Sequence, residues 1–301
     1  MVVDCAILGG GPAGLNAALV LGRSRRRVIL FDNNQPRNAV TGVSHGFITR
    51  DGVTPQEFRQ LAHQDLAKYP NIELRQAAVT DIVKAAEGTF RITTENGEQY
   101  EAKTVLLATG LKNILPAVEG IEDFYGKSLF SCPYCDGWEH QDQPLILISE
   151  NPYIFHTTKV LYNWSKDIIV ASNGHSYLTD EQKAVLQAKQ IPYYEQKIIS
   201  LAGQDGKLER VIFEDGTEIE RAGGVAAAGW RQALPFGELL GCELTDFGGI
   251  KTDGFGRTNV KGVYAAGDAA LVEPAQLVIA AADGSKAAIG INSDMLLAEF
   301  G

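Results

Sequence analysis

Gly9-Gly10-Gly11-Pro12-Ala13-Gly14 follows directly on the mostly apolar run of residues 2 to 8 and leads into the helix-like stretch Leu15 to Gly22. Strand, glycine turn and helix in that order raise a G-x-G-x-x-G pattern above a chance run of glycines. Gly9, Gly11 and Gly14, with Pro12 and Ala13 in the same turn, let the backbone approach a pyrophosphate, and the N-terminus of the following helix meets that charge. A second apolar run, Val28 to Phe31, ends in Asp32, about 20 residues beyond the turn, where a carboxylate can hold ribose hydroxyls. A glycine turn without a ligand is the bland alternative, and the three features together count against it. The fold class that follows is α/β.

Outward from this motif, residues 33 to 53 are rich in Gly, Asn, Ser and Thr without periodicity, so they read as a long loop of the kind that serves a ligand. Arg37, Asn38, His45 and Gly46 sit in it and are expected along the cofactor, although His45 could equally be a packed or surface residue. Thr54-Pro55-Gln56-Glu57 reads as a capping box and starts a helix to about Lys68. Residues 72 to 103 alternate and turn, with Asn96-Gly97 marking a hairpin, before a buried strand runs from Thr104 into Thr109-Gly110. A new α/β pattern follows: strand 144 to 149, helix 152 to 165 capped by Asn151 and opened by Pro152, strand 167 to 171, a helix capped by Thr179, and strands ending at 225 to 228. The expected domains are 1–114 and 233–301, forming one discontinuous domain, with 115–232 inserted.

Near the C-terminus, residues 259 to 266 form a largely apolar strand closing on Gly267-Asp268, and Pro274 is expected to start a helix. Gly267 permits close approach, Asp268 can accept hydrogen bonds from a sugar-alcohol chain, and the helix start at Ala275, Gln276 and Leu277 can stabilise negative charge.

The inserted stretch opens on Ser131-Cys132-Pro133-Tyr134-Cys135-Asp136-Gly137. Two cysteines at this spacing can close and reopen a small disulfide ring, and a neighbouring acid can move the proton that thiol exchange requires. The same pair could be half of a zinc site, but only His140 lies nearby as a third ligand and no second Cys-x-x-Cys exists. No metal site is expected. Cys132 and Cys135 therefore read as a working dithiol, with Cys5 and Cys242 as structural residues.

Whole-chain properties narrow the class. The chain has 301 residues, 45% hydrophobic and 21% charged, with 32 glycines, which suits two globular domains with several glycine turns. A net charge of -10 speaks against nucleic acid or an anionic membrane as partner, and the basic run Arg23-Ser24-Arg25-Arg26-Arg27 is a short solvated feature. Four scattered cysteines suit a reducing cytoplasm, and neither a signal peptide nor a membrane span is visible.

Taken together, Gly9 to Gly14, Ala108-Thr109-Gly110, Cys132 to Gly137, and Ala266-Gly267-Asp268 with Gln276 resemble the low-molecular-weight thioredoxin reductase family, in that family's order. The resemblance implies two Rossmann-like three-layer domains: a discontinuous FAD domain and an inserted pyridine-nucleotide-type domain carrying the dithiol. It also implies a homodimer, a thioredoxin-like or small disulfide substrate, Cys135 facing the flavin, Cys132 exchanging with substrate, and Asp136 as proton donor and acceptor.

One part of the family pattern is missing. A second glycine turn is expected after strand 144 to 149, but the chain reads Ser149-Glu150-Asn151-Pro152, and Ala171-Ser172-Asn173-Gly174-His175 stands where an arginine cluster for a 2'-phosphate would lie. NADPH is therefore doubtful, and electrons are expected by another route, either a reduced protein such as a ferredoxin or NAD(P)H bound weakly, although His175 could still touch a phosphate. The readings carried forward are a flavin-dependent disulfide reductase, a flavin-dependent dithiol oxidase using oxygen, and a non-catalytic flavin-binding regulatory protein.

Overall fold

The computed structural model describes residues 2–85 and 88–301. Met1, and Ala86 and Glu87 within the sequence stretch 72 to 103, lie outside the described residues.

In chain order the elements are β1 (Val2–Leu8), α1 (Pro12–Arg23), β2 (Val28–Phe31), α2 (Pro55–Leu66), β3 (Ile72–Arg75), β4 (Val79–Lys84), β5 (Phe90–Thr94), β6 (Gln99–Leu107) and β7 (Leu111–Ile114). There follow α3 (Ile121–Phe124), β8 (Leu129–Phe130), α4 (Pro133–Asp136), β9 (Leu145–Ser149), α5 (Ile154–Leu161), β10 (Ile168–Ala171), α6 (Asp180–Ala188) and β11 (Tyr193–Tyr194). Then come β12 (Ile198–Gln204), β13 (Lys207–Phe213), β14 (Glu218–Glu220), β15 (Gly223–Ala227), β16 (Gly229–Gln232), α7 (Phe236–Leu239), β17 (Val263–Ala265) and α8 (Leu277–Phe300). The chain forms two compact units, one of residues 1–39, 46–112 and 231–301, the other of residues 40–45 and 113–230.

In the first unit the sheet order is β3-β2-β1-β6-β5-β4. The long β6 changes partner along its length: residues 99–102 pair antiparallel with β5, and residues 105–107 pair parallel with β17. Alternate residues of β1 enter opposite cores. Cys5 and Ile7 pack on the side of α1 and α8, whereas Ala6 and Leu8 pack with Phe31, Phe90 and Ile92. A strand buried on both faces reads as a continuous apolar run, which is why residues 2 to 8 show little alternation.

Helix α8 lies against α1 through small residues. A Cβ at Gly284 would sit 2.0 Å from the Ala13 carbonyl oxygen, so only glycine allows this approach. Asn16 Nδ2 donates to the Ala281 carbonyl at 2.9 Å across the same contact.

The second unit has a parallel sheet in the order β11-β10-β9-β15-β8 and a separate antiparallel sheet β12-β13-β14. Leu145 and Leu147 of β9 pack with Ile154 and Leu161 of α5, while Ile146 and Ile148 pack with Phe213 and Val211. The Thr179 capping box forms fully, each partner bonding the other's backbone. At Thr54 only one half forms, Glu57 N donating to Thr54 Oγ1 at 3.0 Å.

Several expected boundaries move. Helix α5 starts at Ile154 rather than Pro152, because Asn151 Oδ1 accepts from Tyr153 N at 2.9 Å and closes a turn that competes with the helix. Helix α8 starts at Leu277 rather than Pro274, with Gln276 still extended as its N-cap. The strand expected over 259 to 266 shrinks to Val263–Ala265, because Thr258 Oγ1 accepts from Val260 N at 3.0 Å and donates to the Val263 carbonyl at 2.8 Å, forming a turn.

Candidate functional site

Strand register builds the site in the first unit. Leu8 lies opposite Phe31 and Leu107, and Leu107 lies opposite Ala265. Four strands thus end at one level, and the residues after them converge at the C-terminal sheet edge: Gly9, Asp32, Thr109 with Gly110, and Gly267 with Asp268. This is where open α/β sheets bind ligands.

The glycine cradle is tight below and open above. Cβ atoms at Gly9, Gly10 and Gly14 would lie 2.2 Å from the Ala108 oxygen, 2.2 Å from the Asp32 carboxylate and 1.9 Å from the Gly9 oxygen. One at Gly11 would meet nothing within 4 Å. Gly11 is also the N-cap of α1, with no side chain capping the helix and no acid in its first turn, so the amides of Pro12's successors Ala13 and Gly14 offer a positive end. A phosphate-sized anion fits such a mouth, and the donor set matches a dinucleotide.

Both sequence-predicted carboxylates are held by arginines. Asp32 accepts from Asn34 N at 2.9 Å and from Arg59, which also donates to Asn34 Oδ1 at 2.6 Å. Asp268 pairs with Arg37 at 2.8 Å; burial raises its pKa and Arg37 opposes that rise. Gly267, at φ +68, donates its N–H to Asp283 at 2.8 Å. Asn38 lies in a short turn over Arg37–Val40 and is half-buried, as are Thr109, Gly110, Gln276 and Leu277. Arg59 and Asp283 carry no motif and were not legible in the sequence.

In the second unit the dithiol follows β8 directly. Cys132 is the extended N-cap of α4, and Cys135 N and Asp136 N both donate to its carbonyl, at 3.0 and 3.2 Å. Both cysteines are half-buried and in the dithiol form. A hydrogen bond from Cys135, aided by the amides of Cys135 and Tyr134, lowers the Cys132 thiol to about 7 against the opposing effects of burial and the Asp136 charge. Burial raises the Asp136 carboxyl to about 6, with Glu139 adding to the rise and His140 and His45 opposing it. Near neutral pH the pair can therefore offer a thiolate nucleophile and a carboxyl group that exchanges its proton.

Tyr134 and Trp138 flank the dithiol with 67% and 70% of their surface exposed, and Tyr134 meets Trp164 edge-on at 5.3 Å. His45 belongs to this unit, its Nε2 3.5 Å from Glu139 Oε1. The two remaining cysteines are buried, and burial pushes the Cys5 thiol up to about 12, which makes it inert.

The turn after β9 carries no glycine cradle. Asn173 Nδ2 donates to the Glu150 carboxylate, Ala117 N reaches the same oxygen at 3.4 Å, and Tyr177 Oη donates to the Glu150 carbonyl at 2.9 Å. Asn173 is itself buried, at φ +50, and accepts from Ile198 N at 2.8 Å. His175 is exposed and stacks on Tyr177.

A nucleotide cradle in one α/β unit and a dithiol with its acid in another suit an FAD-dependent oxidoreductase, the class to which the chain's family and relatives assign it. The chain belongs to the pyridine nucleotide-disulphide oxidoreductase family, whose model matches residues 3–284. It is similar to a crystal structure provisionally assigned as thioredoxin reductase TrxB from Bacillus anthracis, at 48% identity over 99% of this chain and 100% of the other, with a TM-score of 0.95. It is 32% identical to thioredoxin reductase sirT of Leptosphaeria maculans over 99% of this chain and 96% of the relative. The crystal structure of HlmI is 33% identical, covering 98% of this chain and 93% of that one, with a TM-score of 0.91. Among the described residues no helix is long and apolar enough to cross a membrane.

Proposed function

We propose that this enzyme reduces a protein or small-molecule disulfide through Cys132 and Cys135, with electrons from a donor other than tightly bound NADPH. The observation that carries the reading is the helix-capping dithiol beside a half-buried acid, with Cys132 lowered to about 7 and Asp136 raised to about 6. FAD, when bound, supplies the two-electron carrier. Gly9, Gly11, Pro12, Ala13 and Gly14 would hold its pyrophosphate, Asp32 its ribose, and Asn38, Thr109, Gly110, Gly267, Asp268, Gln276 and Leu277 the rest.

In the exchange itself, the Cys132 thiolate attacks the substrate disulfide, forms a mixed disulfide, and expels a thiolate that takes its proton from Asp136. Asp136 then accepts the Cys135 thiol proton as the Cys135 sulfur attacks that of Cys132 and expels the second substrate sulfur. Tyr134 and Trp138 present aromatic surface where a thioredoxin-like partner or a small disulfide would dock. A homodimer is part of the reading through the family.

The reading that NADPH is not bound tightly rests on Glu150. Its carboxylate, tied to Asn173, occupies the turn in which a phosphate needs bare amides. Anaerobic mixing with NADPH tests this: slow bleaching of the flavin absorbance supports the proposal, and rapid bleaching at low NADPH sinks it. Admitting oxygen with a small dithiol tests direction, since stoichiometric peroxide would make the enzyme a dithiol oxidase instead.

A further inference from the structure

We propose that Glu139 and His45 act as a positioning pair that sets how readily Asp136 takes and releases its proton, an inference that rests on the dithiol reading above. Asp136 must be acid in one half of the exchange and base in the other, so its proton affinity has to lie near the working pH. Burial alone cannot hold it there, because a second carboxylate, Glu139, stands one turn further along the chain.

The compensating group arrives from a distant part of the sequence. Residues 40–45 pack with the dithiol unit, and the segment is seated where Gly126 leaves room: a Cβ there would lie 2.5 Å from the Val40 oxygen. This places His45 Nε2 3.5 Å from Glu139 Oε1. His140, stacked on Phe130 at 5.1 Å, adds a second imidazole whose Nδ1 is buried and makes no hydrogen bond among the described residues.

Among the described residues, the charged and titratable groups that act on Asp136 are therefore Glu139 and His140 in the turn that follows it and His45 on the incoming loop, while Asp136 in turn acts on Cys132 at the N-cap of its helix. Glu139 resists ionisation of Asp136 and the imidazoles favour it. Pairing Glu139 with His45 balances these effects, so the two side chains have opposite influence on one proton.

The opposite signs make the test specific. The FAD-loaded enzyme is reduced anaerobically, and the rate of Cys132 alkylation by iodoacetamide is followed from pH 5 to pH 9, the label being located by peptide mass spectrometry. The profile should show a lower inflection that Asp136→Asn removes. Glu139→Gln should move that inflection down, and His45→Gln should move it up, each by about half a pH unit. His45→Lys, which sets a fixed cation beside Glu139, should return it to the wild-type position or below. Inflections that stay in place, or that move the same way in both variants, overturn the proposal. Disulfide turnover is measured on the same samples: a wild-type enzyme that reduces no disulfide overturns the dithiol reading, whereas one that does but ignores both substitutions overturns only this pair.

Discussion

Asp136→Asn should make the protein more stable and less active, and the stability gain should depend on pH. The carboxyl is raised by burial from 3.8 to about 6 in the folded chain. Between these values the folded state holds a proton that the unfolded state has released, so stability falls as pH rises from 4 to 6 and then levels off. A rise of about two units corresponds to about 3 kcal/mol, an upper bound for a group with some access to water. The amide variant carries no such penalty. At pH 7.5 it should therefore melt a few degrees above wild type, since about 1 kcal/mol moves the midpoint of a domain of this size by roughly 2 to 4 °C. At pH 4 the difference should vanish. Disulfide turnover at pH 7.5 should fall about a hundredfold or more, the range for a lost general acid–base group. Melting curves at pH 4, 6 and 7.5 on equally FAD-loaded samples decide the matter. A difference that is constant across pH, or a variant less stable at pH 7.5, would refute the burial argument.

Three further outcomes follow from the geometry. Gly284→Ala places a methyl group against the Ala13 backbone and should destabilise the first unit by about 1–3 kcal/mol, read as a lower melting temperature and faster flavin loss. Arg59→Leu removes the guanidinium that orients Asp32 and should weaken FAD binding about tenfold, measured by recovery of free flavin fluorescence. Glu150→Gly removes a carboxylate from the turn after β9 and should speed NADPH-driven bleaching about tenfold at a fixed subsaturating concentration; an unchanged rate would show that this side chain is not what hinders the nucleotide.

Local signals were the legible ones. The run from Val2 to Gly14 announces strand, turn and helix because each residue type is required where it stands, and Thr179 announces its helix because the cap is made by neighbours. The dithiol and its acid were equally plain, being contiguous. Asn151 misled because the same side chain that can cap a helix can also close a turn before it, and the sequence does not say which bond wins. Arg59 meets Asp32 from a helix whose own pattern gives no hint of that contact. For His45 the sequence left a place along the cofactor and a packed or surface place equally open, and that residues 40–45 pack with the dithiol unit is a long-range contact that no local pattern encodes.

The central claim is that one flavin and one sulfur pair form a single electron-transfer system in this chain. Anaerobic titration of the FAD-loaded enzyme with dithionite, followed by flavin absorbance, tests it by counting electrons. Wild type should take up four per chain, two for the flavin and two for the oxidised Cys132–Cys135 pair, while Cys135→Ser should take up two. Equal uptake by both proteins, or a wild-type chain that retains no flavin, would contradict the account.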